Sequence, residues 1–111
     1  MTVKEVAERL GFSLLAGEES YGREVESVYC CDLLSFVMGR APADSAWVTV
    51  MGNVNAMAVS MLADTACIVL AEGAALDAQA KEKADQNGIA VLGSKQPVYE
   101  AARAIDQLIR G

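Results

Sequence analysis

The sequence predicts an α/β domain built on one mostly parallel sheet flanked by helices. From residue 25 onward, extended and helical patterns alternate, the pattern of successive strand-helix-strand units. The runs at 46–51 and 67–70 are apolar with little interruption, as in strands covered on both faces. A chain of 111 residues, 53% hydrophobic and with only two prolines, makes one ordered domain that buries roughly two-thirds of its unfolded surface. Residues 1–111 are therefore read as a single unit.

The elements follow in order. Thr2-Val3-Lys4-Glu5 has the S/T-x-x-E form of a capping box, and Val3, Val6, Ala7 and Leu10 recur at helical spacing, which predicts a helix over 3–10 stopped by Gly11. Residues 13–16 read as a short extended piece, and 17–22, polar with a glycine at each end, as a loop. Val25, Ser27 and Tyr29 alternate with Glu26, Val28 and Cys30 in the next strand. Asp32 is the expected N-cap of a short helix over 33–38, with Gly39 as its stop.

Residues 41–45 form a turn and 46–51 a buried strand. Asn53 or Asn55 caps a helix over 56–64, on which Ala58, Met61 and Leu62 share a face. The strand at 67–70 is followed by a helix over 76–87, with Asp77 near its start and Gly88 after its end. A short strand at 89–92 leads through Gly93-Ser94-Lys95-Gln96-Pro97 into a last helix, where Val98, Ala101, Ala102, Ile105, Leu108 and Ile109 keep helical spacing.

Composition narrows the function classes. A net charge of −6, with nine basic residues spread thinly, excludes nucleic-acid and anionic-membrane binding as main functions, because both need concentrated basic surface. No charged-then-apolar leader is present and no apolar run approaches the ~20 residues of a membrane span, so a cytoplasmic protein is expected. Three cysteines, two of them adjacent, are no disulfide framework. Histidine is absent, which removes Ser-His-Asp and Cys-His catalysis and any imidazole metal ligand. No catalytic residue, metal site or cofactor is assigned. Abundant alanine, five methionines and few aromatic residues point to a core of small, adaptable side chains that continues into a partner subunit.

The polar residues at strand ends are the candidates for binding. A glycine and a capping Asn after a parallel strand can present backbone N–H groups and a helix dipole to an anion. Gly52-Asn53-Val54-Asn55 has this form but only one glycine and no lysine, so it is neither a Walker loop nor a dinucleotide fingerprint; a plain turn and cap is the competing reading. Asp32 is a cap, a ligand or a base. Glu72 is a solvated loop acid or a carboxylate facing the same crevice as Asn53. Cys30 and Cys31, adjacent and so pointing to opposite sides of a strand, read as buried structural thiols. Arg23 and Arg40 read as anion receivers or as solvated partners of the many acids. Trp47 fills core or interface. Ser94 and Lys95 lack the third group that nucleophilic catalysis needs.

Taken together, a strand ending in Gly52-Asn53, a helix, a strand ending in Ala71-Glu72-Gly73, a helix, a short strand and a final helix resemble the DRTGG domain over about residues 14–108. Gly22-Arg23-Glu24-Val25 is similar to the segment that precedes the family's first long strand. In the family the two turns are Gly-Asp-Arg and Thr-Gly-Gly. Here Gly52-Asn53 occupies the place of Gly-Asp, Val54 the place of the Arg, and Gly73 keeps the last glycine. The missing Arg is the group that would have held a phosphate in two-pronged fashion.

The resemblance implies a fold similar to the N-terminal domain of HPr kinase, and a regulatory or oligomerising role like that of the DRTGG domains in phosphotransacetylases and CBS-domain pyrophosphatases; small stand-alone versions occur in anaerobic bacteria. The leading expectation is a non-catalytic regulatory or protein-interaction module acting as a homodimer, with a protein partner that the sequence does not name. The alternative is a sensor of a nucleotide or other small anionic metabolite, bound in a strand-end crevice of Asp32, Gly52, Asn53, Asn55, Glu72 and Gly73, where crossovers change direction. An enzyme ranks last.

Overall fold

The computed structural model describes residues 1–111. The capping box forms as its spacing predicts: the Thr2 hydroxyl accepts the Glu5 N–H at 3.1 Å, the Glu5 carboxylate accepts the Thr2 N–H at 2.9 Å, and α1 (Val3–Leu10) begins there. After β1 (Ser13–Ala16), a loop with one 3-10 turn at Glu18–Ser20 leads to β2 (Ser27–Cys30). Helix and strand then alternate through α2 (Leu34–Arg40), β3 (Ser45–Thr49), α3 (Val54–Ala63), β4 (Cys67–Leu70), α4 (Ala78–Asn87), β5 (Val91–Gly93) and α5 (Val98–Arg110).

The strands lie in the order β1-β5-β4-β3-β2. Strands β2 to β5 are parallel, with Tyr29, Trp47, Ile68 and Val91 forming one row across the sheet. Strand β1 joins the β5 edge antiparallel, with Ser13 opposite Gly93. The two-residue period of the strands divides the core between the faces. Ala46, Val48, Cys67, Val69 and Leu92 pack with Val3, Val6, Ala101 and Ile105 of α1 and α5. Trp47, Ile68, Leu70 and Val91 pack with Val37, Met57, Ala80 and Ala84 of α2, α3 and α4.

All three crossover helices thus share one face. Each parallel strand is laid on the same side of the one before it, and crossovers of a single hand then stack their helices together. The sequence reading places a crevice where crossovers reverse, and between β2 and β5 there is no reversal. The gaps at the carboxyl ends of these strands are closed by neighbouring loops instead.

Several local expectations are corrected. Asp32 does not cap α2: the residue in the cap position is Leu33, with no side-chain bond, and the Asp32 carboxylate turns to β3. Gly39 does not stop α2, which runs to Arg40 and ends at the extended Ala41 before Pro42, where the proline ring disfavours helical geometry in the preceding residue. Helix α3 starts at Val54, capped by Asn53 rather than Asn55, and ends at Asp64 in left-handed conformation. Ala58, Met61 and Leu62 share its outer side, while Ala56, Met57, Val59 and Ser60 face the sheet. Cys30 is exposed on the free edge strand and Cys31 half-buried, so only Cys67 is a buried thiol. No helix is long and apolar enough to cross a membrane.

Candidate functional site at the strand ends

The carboxyl ends of β2 to β5 lie side by side, and they carry all six residues proposed from the sequence. At β2, the Cys31 carbonyl accepts the Trp47 indole N–H at 2.8 Å. The Asp32 carboxylate accepts the Thr49 hydroxyl at 2.7 Å and the Val50 N–H at 3.1 Å. Asp32 is therefore a brace between the β2 and β3 loops. Thr49, fully buried beneath it, belongs to this constellation and is not recognisable in the sequence, since a single Thr in an apolar strand carries no signal.

At β3, the Asn53 side chain accepts the Ala56 N–H at 2.9 Å as the N-cap of α3, and Asn55, on the first turn, is exposed. Gly52 is required by close approach, since a Cβ there would sit 2.1 Å from the Ala75 carbonyl oxygen. Its own carbonyl accepts the Asp77 N–H at 3.0 Å, and the Asp77 carboxylate caps α4 through the Ala80 N–H at 2.7 Å. The Gly52 turn is in this way fastened to the start of the next helix.

At β4, Glu72 and Gly73 both take left-handed φ, 60° and 69°. Their N–H groups donate to the Gln96 and Ser94 carbonyls at 2.7 and 2.9 Å. The Glu72 carboxylate accepts the Val98 N–H at 2.9 Å, so the residue read as a solvated acid or a ligand closes the first turn of α5, where a negative charge is favoured. The structure brings Asp32 to Thr49 and Val50, Gly52 to Ala75 and Asp77, and Glu72 and Gly73 to residues 94–98. Each group has its own partners, and no hydrogen bond joins one of the six candidates to another across the strand ends.

Beyond β5 the surface opens into a cavity of about 580 Å³, lined by residues 10–13, Leu15, residues 73–74 and residues 93–96. Of the six candidates, Gly73 lines it. Ser94 and Lys95, weighed only as a catalytic pair, stand on its wall, and residues 10–15 arrive there because β1 pairs antiparallel with β5.

Among the thiols, partial desolvation on the edge strand raises the pKa of the exposed Cys30, with the charges of Asp32 and Cys31 adding to it. Burial pushes Cys67 up to about 12, which leaves it without the thiolate that nucleophilic chemistry requires. No three acidic or thiol side chains gather as a metal cluster. Arg23 is engaged by Asp44 at 2.8 Å and by Asp64 at 2.9 Å, and the Arg40 guanidinium stacks 4.0 Å from the Phe36 ring centroid.

A family model of the DRTGG domain matches residues 5–108. The chain belongs to the DRTGG domain family. DRTGG domains are regulatory, and this one shares its fold with a solved structure, that of the CBS and DRTGG domains of the regulatory region of a Clostridium perfringens pyrophosphatase complexed with its activator, diadenosine tetraphosphate. The two superpose with a TM-score of 0.78 at 13% identity, over 96% of this chain and 46% of the other. The DRTGG domain described above thus spans less than half the length of that chain. No curated protein matches the sequence. The turns on which the sequence resemblance rests, at Gly52-Asn53 and Glu72-Gly73, occupy the carboxyl ends of β3 and β4, the middle two of the four parallel strands.

Proposed function

We propose that this DRTGG domain is a non-catalytic regulatory module of the cytoplasm that works as a homodimer, its copies meeting through the face made by α2 and α3. The distribution of exposed apolar side chains supports this reading. Eight large ones are exposed, and Leu33, Phe36, Met38, Val50, Met61 and Leu62 all lie on α2, α3 or the turns that lead into them; Leu14 and Tyr99 lie elsewhere. Helix α3 carries no charged residue and α2 only Arg40, in a chain that is 22% charged. Exposed apolar surface concentrated in this way marks an interaction site, and a twofold contact lets one patch serve both partners. Sedimentation equilibrium at micromolar concentration tests the reading. A dimer is expected, and a clean monomer overturns it.

A second reading, a sensor of a nucleotide or other anionic metabolite at Asp32, Gly52, Asn53, Asn55, Glu72 and Gly73, draws support from the activator bound to the pyrophosphatase regulatory region. On the geometry, Gly73 has the best claim among these residues, because of the six it alone lines the cavity beyond β5, whereas Asp32, Asn53 and Glu72 each turn a side-chain oxygen to an internal N–H or O–H donor. Thermal-shift screening with adenine and guanine nucleotides tests it. Absence of a shift at millimolar nucleotide rejects it.

A further inference from the structure

From the cavity beside β5 we infer that this chain binds a small organic anion there, a ring-sized apolar body bearing one carboxylate or phosphate, with Lys95 holding the anionic head. The inference rests on the sensor reading above, and it moves the ligand from the turns at β2 and β3 to the space between β5 and the α1–β1 link.

Three observations carry it. The first is electrostatic. The chain has fifteen acidic and nine basic residues, yet this cavity is lined by one lysine and no carboxylate. Two other surface cavities are built differently. The one at Arg23 contains the Arg23–Asp64 pair, and the one at Lys81 contains Lys81 and Asp85, joined at 2.7 Å, beside Glu18 and Glu19. The charges in those cavities already answer one another. Lys95 takes part in none of the ion pairs. The nearest acid in sequence to the cavity's Gly73 is Glu72, whose carboxylate is turned to the Val98 N–H.

The second observation is the polar lining around that charge. Ser13 and Ser94 bring hydroxyl groups and Gln96 an amide to the same cavity. The Ser94 oxygen accepts the Gln96 N–H at 3.1 Å, which leaves its proton free to donate. A carboxylate or phosphate accepts from such donors, and charge-assisted bonds of this kind are the strong ones. The third is the apolar part of the lining. Leu10, Phe12 and Leu15 supply apolar surface, and the cavity of about 580 Å³ falls within the range of small-molecule sites, about 300–1,000 Å³. Anion-holding groups and apolar side chains lining one cavity specify an amphipathic ligand rather than an inorganic ion.

The test is an amide chemical-shift titration of the full chain with phenyl phosphate, benzoate, inorganic phosphate and adenosine monophosphate, repeated on Lys95→Gln. Lys95 is exposed, so the variant keeps the fold. Saturable shifts at Gly11, Ser13, Gly73, Gly93 and Lys95 are expected with phenyl phosphate or benzoate at millimolar concentration, and which of the two binds tighter identifies the head group. Binding should weaken about tenfold in Lys95→Gln, the loss of one charge-assisted contact, and inorganic phosphate should bind more weakly than phenyl phosphate. Absence of saturable shifts at these residues with both organic anions, or equal affinity in the variant, overturns the inference. Shifts from adenosine monophosphate confined to Asn53 and its neighbours would uphold the sensor reading while overturning this one. Cavity shifts from the simple anions without any response to the nucleotide would do the reverse to the nucleotide form of that reading.

Discussion

Gly52→Ala separates steric demand from torsional demand at the β3 turn. Gly52 does not have a positive φ, so alanine meets no backbone penalty there. Its Cβ, however, would lie 2.1 Å from the Ala75 oxygen, 3.0 Å from the Ala75 carbonyl carbon and 3.1 Å from the Leu76 Cα. These are backbone atoms, and relief requires the 74–77 segment to move by more than an ångström. That movement strains the Asp77 N–H bond to the Gly52 carbonyl and the cap of α4 behind it. Overpacking costs ~1–3 kcal/mol and a lost hydrogen bond ~1 kcal/mol, so a loss of about 2–4 kcal/mol is expected. Gly73→Ala is the converse case, with φ 69° and open space around the added methyl, and should cost only the ~1–2 kcal/mol of a left-handed alanine. Asn53→Ala should cost ~1 kcal/mol as a lost cap and leave anion binding unchanged. Urea unfolding followed by the single Trp47, fully buried and bonded to Cys31, measures all three as midpoint shifts at constant slope. A Gly52→Ala stability, taken as midpoint times slope, within about 0.5 kcal/mol of wild type, the ordinary range of a surface change, would refute the close-approach argument.

Other expectations are as definite. Arg23→Ala removes the clamp on Asp44 and Asp64, both at positive φ, and should cost about 1–3 kcal/mol, whereas Asp64→Gly, which relieves a left-handed residue, should cost less; urea midpoints of the two variants decide. The Thr2 N–H holds Glu5 below the ordinary carboxylate range, and Lys81, then the Gly17 N–H, holds Asp85 below it. A depressed folded pKa gives stability that is present above the unfolded value, about 4, and lost as pH falls through the folded one. The Tm should therefore fall on acidification below about pH 4, and less steeply in Asp85→Asn; identical acid limbs would contradict the assignment. Because burial pushes Cys67 to about 12, iodoacetamide at mildly alkaline pH should label it only on unfolding in urea, and peptide mass spectrometry showing labelling in the native protein would contradict this.

Much of the fold is legible because local signals agree. Thr2 and Glu5 form both bonds of their box, Gly11 and Gly88 end α1 and α4 as C-caps, and β3 and β4 are buried throughout, although the run expected as a strand over 46–51 leaves the sheet after Thr49, with Val50 exposed in the turn. The boundaries of α2 were not legible, because Leu33 offers no capping side chain and the helix tolerates Gly39 until Pro42 intervenes. Which side of α3 faces the sheet was also hidden: nearly every position is apolar, so the pattern has no direction, and small Ala56 and Ser60 turn inward while Leu62 stays exposed. The candidate site was legible as a set of strand ends but not as contacts. Pairings such as Asp32 with Thr49, or Glu72 with Val98, depend on strand order and register. The cavity depends on β1 returning antiparallel to β5, a pairing between the two ends of the chain that no local pattern announces.

The central claim is that the α2–α3 face joins two copies, and Phe36→Glu tests it most directly. Phe36 is 43% exposed, so the change empties no core. The new carboxylate stands four residues before Arg40, in the favourable order for a helical ion pair and in the first turn of α2, so the helix keeps its support. Two such charges brought together at a twofold apolar contact repel and lose their water. Sedimentation equilibrium at micromolar concentration should show wild type as a dimer and Phe36→Glu as a monomer with unchanged circular dichroism. A monomeric wild type, or a variant that remains dimeric, would contradict the account.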